Sequence, residues 1–302
     1  MIKDMFTKLL DALFDTPNKA KVMGVLSSLF KLFFVVFVVI ILYLPIFVIA
    51  LQSFNDSRTV FNFGGLTLKW YEALFFAQSA HHNTEVVITI QNTLRVTFIS
   101  TILSTILGTF VAIGAHVLDK KRRQQLILLN NVPILNAEIV TGMSLMLIFS
   151  LMLPVIPMFF GFWTMLIAHV FFSIPYVVLS VLPKLKEIDV NLYDAAVDLG
   201  CTPFKAILKV IIPSIQAGIF AGMLLAFTMS IDDFVISYFT TGNGFENIST
   251  WMYGVIGKRS LSPVVYAYNT LLTIITLSVL LLINLKGSKR QKPEWLKSKS
   301  YR

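Results

Sequence analysis

Six stretches of the chain run for about twenty residues or more with almost no charge: roughly 30–53, 91–117, 126–153, 162–182, 214–238 and 264–285. A bilayer's hydrocarbon core is about 30 Å thick, and a helix rising about 1.5 Å per residue needs about twenty apolar residues to cross it. Over 302 residues, 56% are hydrophobic and the mean hydropathy is +0.77, which a water-soluble core does not accommodate. The expected fold is therefore all-α, a polytopic membrane protein with six transmembrane helices. The lone Cys201 excludes an intramolecular disulfide framework and any multi-cysteine metal site. His81, His82, His116 and His169 show no HExxH spacing and read as ordinary loop or packing residues. No metal ligand set and no catalytic group is assigned.

A net charge of +9 in a soluble domain would suggest nucleic acid. Here the basic residues are distributed by topology instead. Twenty of the 25 Lys and Arg fall in 1–31, 118–125 ("LDKKRRQQ"), 183–213 and the tail after Leu285. Arg58, Lys69, Lys258 and Arg259 fall on the opposite side, and Arg95 lies near the start of the second span. Positive charge marks the cytoplasmic side, so both termini and the 183–213 loop are expected there, and no nucleic-acid partner is needed. Three parts follow: residues 1–29, a six-helix region 30–285, and a basic tail 286–302 that lies along anionic lipid. Met5, Phe6, Leu9, Leu10, Leu13 and Phe14 recur at helical spacing, which predicts an interfacial amphipathic helix ahead of a retained first span.

The 183–213 loop, "PKLKEIDVNLYDAAVDLGCTPFKAILKVIIP", carries its own structural punctuation. Asp189 or Asn191 can cap a short helix through Leu199, and Gly200 suits the left-handed stop. Thr202 caps a second helix with Pro203 at its first position. The small pair Ala195–Ala196 invites close contact with something else. "DAAVDLG" followed by "VIIP" resembles the EAA loop of binding-protein-dependent ABC importer permeases: Asp194, Ala195, Ala196, Gly200, Val210, Ile212 and Pro213. Asp194 stands where that pattern usually has glutamate, keeping the charge with one methylene less reach. The resemblance narrows to the second, shorter permease of spermidine/putrescine importers through "SFNDSR", "LKWYEALF", "NAEIVTGMSL", "GFWTMLIAHVFFSIPYVV", "FTMSIDDFVISYFTTG" and "YGVIGKRSLSPVVYA".

Carboxylates inside apolar runs are the second anomaly. Each charge at mid-span costs about 2.5–3.5 kcal/mol, so Asp232 and Asp233 require a partner or a cationic ligand, or one must be protonated. Apart from Lys31 at the edge of the first span, Arg95 is the only basic residue inside an expected span, and Glu138 also needs compensation. On a continuous helix Gly218, Gly222, Ala226, Ser230, Asp233 and Ser237 share one arc, with Asp232 about 100° away. Gly218 and Gly222 mark a protein-packed face, and Asp233 is expected to face the passageway with Asp232 at its edge, unless a local unwinding at Ser230 presents both. The third span holds Asn130, Asn131, Pro133, Asn136 and Glu138, the polar, proline-broken pattern of a cavity-lining helix; amides gluing helices together is the other reading.

The resemblance implies that Trp70, Glu138, Ser230, Asp232 and Asp233 take part in polyamine passage; Trp70 with Tyr71 reads equally well as an aromatic anchor. It implies that the 183–213 loop docks on an ABC ATPase dimer, with a second permease subunit and an extracellular polyamine-binding protein completing a bacterial inner-membrane importer. "GVIGKRS" fails as a phosphate loop because Met252 replaces its first glycine and Arg259 its hydroxyl residue. This chain is thus expected to bind no cofactor, with ATP and Mg held by the partner ATPase. Alternatives are a permease for another substrate such as thiamine or iron, a proton-coupled secondary transporter, or an intramembrane hydrolase. The acidic site argues against the first, the docking loop against the second, and the 100° divergence of the two aspartates against the third.

Overall fold

In the computed structural model, residues 19–57, 62–76, 84–154, 160–189, 191–242, 244–255 and 263–290 are described, with backbone alone for 19–28 and 279–290. The expected amphipathic helix over Met5–Phe14, the tail beyond residue 290 and the residues Arg58, Lys258 and Arg259 lie outside them. All regular elements among these residues are helices: α1 (Lys19–Ser53), α2 (Lys69–Phe75), α3 (Thr84–Val117), α4 (Lys120–Leu135), α5 (Glu138–Ser150), α6 (Phe162–Lys186), α7 (Leu192–Asp198), α8 (Pro203–Ser214, with a π turn over Ile207–Ile211), α9 (Gln216–Ile231), α10 (Val235–Thr240), α11 (Ile248–Val255) and α12 (Pro263–Arg290). They form two compact units, one of residues 1–82 and 262–302, the other of residues 83–261.

By length and hydropathy α1, α3 and α6 are each able to cross a membrane. The third apolar run is not a single helix, and the fifth is divided between α9 and α10 and meets α8 of the 183–213 loop at a bend. α4 and α5 meet at 101° and α8 and α9 at 76°, so each pair adds a span only if the bent pair crosses as one. The first bend falls at Asn136–Ala137, both extended, three residues past Pro133. Part of α12, Pro263–Ser278, is a shorter apolar helix.

In the first unit α12 packs on α1 and α2. From Leu29 to Val48 the side chains of α1 are almost all exposed, as a helix meant for lipid or another protein must be.

The second unit is built on close helix contact. Lipid tails are as apolar as leucine, so helices in a membrane associate through tight packing and interhelical hydrogen bonds. α9 turns Gly218, Gly222, Ala226 and Ser230 inward, and α3 supplies a buried stripe from Thr89 through Thr93, Thr97, Ser100 and Ser104 to Gly108 and Ala112. A Cβ at Gly222 would stand 3.1 Å from Val177 Cα on α6, and one at Gly108 only 2.7 Å from Val177 Cβ. A second layer, Leu145 and Phe149 of α5, Ala168 and Phe172 of α6 and Ile236 of α10, closes the other side.

The 183–213 loop forms the expected helix–turn–helix. Asp189 Oδ1 accepts from Asn191 N–H at 2.9 Å. Gly200, at φ +88°, ends α7, its N–H bonding Val197 O while Cys201 N–H bonds Ala196 O. That double bond is the left-handed stop of a Schellman turn. Thr202 holds the cap position with an extended backbone and Pro203 follows, although the Thr202 hydroxyl makes no capping bond. Only half of the alanine pair is available to a partner: Ala196 is buried within the chain and Ala195 is exposed.

Candidate functional site

The helix carrying the two aspartates is broken. α9 stops at Ile231, residues 232–234 are non-helical, and α10 starts at Val235. The arc drawn for a continuous helix is interrupted there, yet Asp233 still falls on the packed side with Ser230 and Ser237, and Asp232 falls off it. Asp233 turns inward, its side chain 6% exposed. Its Oδ2 accepts from Ser237 N–H at 2.8 Å and its Oδ1 from Ile236 N–H at 3.4 Å, so it satisfies amides that the first turn of α10 leaves free. Asp232 is exposed, and no ion pair involves it among the described residues.

Behind the break lies a polar knot. His169, 3% exposed on α6, has Nδ1 2.7 Å from Ser230 Oγ and Nε2 2.9 Å from Ser237 Oγ. Its Nε2 is 3.7 Å from Asp233 Oδ2. Ser230 Oγ also meets Ser100 Oγ at 3.0 Å, and Thr97 Oγ1 donates to Ser230 O. Asn247 donates through Nδ2 to Ser237 Oγ and to Asp233 O. Ser230 is thus buried at 2% exposure inside this knot.

Aromatic rings flank the same break. Phe234 and Tyr253 have centroids 4.8 Å apart, Tyr238 and Tyr253 5.6 Å, and both tyrosines are exposed. Arg95, apart from Lys31 the only basic residue expected inside a span, is exposed on α3 and pairs with none of the three acids.

Glu138 sits exposed in the first turn of α5, just past the Asn136–Ala137 bend, where the positive end of a helix dipole favours a carboxylate. It is an electrostatic neighbour of Tyr176 on α6. Tyr176 is seven residues along α6 from His169, about 10 Å at helical rise.

Trp70 belongs to the other unit and is fully packed there. Its indole N–H donates to Asn55 O at 2.7 Å, and Lys69 Nζ stands 4.5 Å from its ring centroid. Asn55 ties the same loop together through Asn62 O and Gly64 N–H.

At the 183–213 hairpin Asp194 and Ala195 are exposed on α7, with Gly200 and Pro213 exposed beyond it. Leu199 and Phe204 add large exposed apolar surface. A cavity of about 390 Å³ behind α7 is lined by His116, Leu185, Asp189, Tyr193, Asp194 and Ile211 among others.

A hairpin with exposed apolar tips, hung from a bundle of broken polar helices, has known counterparts. Residues 125–286 match the family described as binding-protein-dependent transport system inner membrane components. The chain belongs to that family. It is 32% identical over 236 residues to the spermidine/putrescine transport system permease protein PotC of Escherichia coli K12, covering 78% of this chain and 85% of that one. It is 28% identical over 234 residues to the putrescine transport system permease protein PotI of the same organism, covering 76% and 81%. A PotC homolog of Mycoplasma pneumoniae is 26% identical over 89% of this chain and 94% of its own length. Among solved structures, a bacterial ABC transporter that imports the acidic polysaccharide alginate superposes with a TM-score of 0.63 at 15% identity, over 91% of this chain and 99% of that one. The same transporter with its alginate-bound periplasmic protein gives 0.62 at 16%, over 91% and 98%. As a member of this family the chain is a membrane-embedded permease subunit of an ABC importer and not its ATP-hydrolysing subunit.

The sequence signals that could have exposed the rest of the site are modest. His169 reads alone as a packing histidine, and it does pack; its importance comes from bridging Ser230 and Ser237 across the break, which no local pattern announces. The Ser/Thr recurrence on α3 is a readable small-residue stripe at helical spacing.

Proposed function

We propose that this chain forms part of the transmembrane path of a polyamine importer, spermidine and putrescine being the substrate class. The carrying observation is Asp232: an exposed carboxylate at a helix break, with no ionic partner among the described residues and a cluster of Phe234, Tyr238 and Tyr253 beside it. A polyamine is a flexible chain of protonated amines separated by methylenes. Carboxylates neutralise its ammonium groups, and aromatic faces attract both cation and methylene. Glu138, exposed in the first turn of α5, supplies a second negative point for a second amine. The fold does not select this substrate, since an importer of an acidic polysaccharide shares it. The names of the relatives point the same way as the acids.

In this reading Trp70, Glu138, Ser230, Asp232 and Asp233 serve polyamine passage in different ways. Asp232 and Glu138 meet the cation, Ser230 and Asp233 hold the break, and Trp70 stiffens the loop through which substrate enters. The 183–213 hairpin docks on an ATPase dimer, Asp194, Ala195 and Ala196 on its first helix, Gly200 at its turn and Pro213 at its end. Exposed Leu199 and Phe204 are the apolar surface such docking covers. A second permease subunit covers the exposed helix faces, and a binding protein delivers substrate from outside. ATP and Mg act in the partner ATPase; closure of that dimer moves the hairpin and rocks the bundle. Both termini and the hairpin are cytoplasmic, by the distribution of Lys and Arg. A negative interior then draws each protonated amine inward with about 2.3 kcal/mol per 100 mV.

The test is uptake of labelled spermidine and putrescine by proteoliposomes holding the full complex, with thiamine and ferric iron as competitors. ATP-dependent polyamine uptake resistant to both competitors is expected. Uptake of thiamine or iron instead, or polyamine uptake without ATP, overturns the reading.

A further inference from the structure

The break at 232–234 contains neither glycine nor proline, and besides the Asp233 cap it is held from outside. Ser230 lies in the last turn of α9 and Ser237 in the first turn of α10, and the ring of His169 bridges them. Its neighbours leave one fully bonded arrangement with a neutral ring. With the Ser100 hydroxyl on Thr97 O, Ser230 donates to Ser100 Oγ and accepts from Nδ1–H. Ser237 accepts from Asn247 Nδ2–H and donates to Nε2. Asn247 fixes the same spot through its second contact, with Asp233 O. Elements α3, α6, α9, α10 and the segment before α11 converge on one imidazole.

We propose that His169 is the positioning residue of the membrane site. By clamping Ser230 to Ser237 it keeps Asp233 turned inward as the cap of α10 and so leaves Asp232 as the single carboxylate of the pair that meets the passenger. His169 itself, buried at 3% exposure, touches no substrate. An apolar side chain in its place breaks the bridge between the two hydroxyls and leaves α10 held only by Asn247 and its own cap, so that the two acids differ less in access. The consequence for transport rests on the polyamine reading above; the consequence for access does not.

Two measurements on the assembled transporter test this. Asp232→Cys and Asp233→Cys are each made with His169 intact and with His169→Leu, treated with a small cationic methanethiosulfonate, and the modified peptides quantified by mass spectrometry. With His169 intact the Asp232→Cys thiol is expected to react at least about tenfold faster than the Asp233→Cys thiol. His169→Leu should narrow the ratio to less than about threefold. General loosening of the fold would also speed a buried thiol elsewhere, so Ala112→Cys on α3 serves as the control, and its rate should not change with His169→Leu. Equal rates with His169 intact, or a ratio unmoved by His169→Leu, overturns the proposal. In uptake assays His169→Leu should raise KM for spermidine about tenfold with ATP hydrolysis by the complex retained, and His169→Gln, which keeps one hydroxyl contact, should recover part of it. A fall in kcat at unchanged KM marks a merely structural role and also overturns it. Where His169→Leu does not assemble, His169→Gln and the rates with His169 intact still decide. If the complex transports no polyamine, the substrate reading fails alone and the labelling ratio still judges His169.

Discussion

Replacing Asp233 by alanine removes the acceptor for the amides of Ser237, at 2.8 Å, and Ile236, at 3.4 Å. Loss of an N-terminal helix cap costs about 0.5–2 kcal/mol. The carboxyl accepts from two backbone amides and is only 6% exposed, which puts the cost at the upper end, about 2 kcal/mol. At about 1.4 kcal/mol per factor of ten, local opening of the first turn of α10 becomes about 30-fold more frequent. Asp232→Ala removes an exposed side chain without an ionic partner among the described residues and should change local stability by less than about 0.5 kcal/mol. Hydrogen exchange on the purified protein, read over residues 232–240, separates the two. Asp233→Ala should speed exchange at Ile236 and Ser237 about 30-fold, and Asp232→Ala should leave it nearly unchanged. Equal acceleration in both variants, or none in Asp233→Ala, refutes the inward cap.

Two further outcomes follow from packing and docking. Gly222→Leu places a side chain where a bare Cβ already lies 3.1 Å from Val177 Cα, and such overpacking costs about 1–3 kcal/mol; thermal unfolding in detergent should shift down, and an unshifted midpoint contradicts the close α6–α9 contact. Asp194→Lys reverses the charge of an exposed α7 side chain, and co-purification with the ATPase, or uptake at normal ATPase content, should fall at least about tenfold, while unchanged assembly and uptake contradict docking through this hairpin.

Legibility in the sequence followed the range of the interactions. The 183–213 hairpin could be read almost residue by residue because Asp189, Gly200 and Pro203 act on backbone two to four positions away. The Gly218–Gly222 face was legible because small residues at helical spacing have few other uses in lipid. The break at Asp232 was legible only as an alternative, a local unwinding near Ser230. Asp233 caps α10 locally, but the rest of the hold comes from Asn247, 14 positions away from Asp233, and from His169, 61 and 68 positions from its two serines. Helical spacing placed Asp233 on the packed side with Ser230 and Ser237 and Asp232 off it, as observed, but gave no sign that Asp233 caps α10. Trp70 illustrates the other limit, because a packed indole bonded to Asn55 O looks the same in sequence as one lining a pathway.

The most direct measurement of the account is the concentration dependence of spermidine uptake by reconstituted Asp232→Asn. An amide matches the carboxylate in size and loses only its charge, and a hydrogen bond to a charged group is worth about 1.5–3 kcal/mol, so KM should rise about tenfold to a hundredfold with assembly intact. A KM for spermidine equal to that of the unsubstituted complex would contradict the claim that this carboxylate meets a cationic passenger.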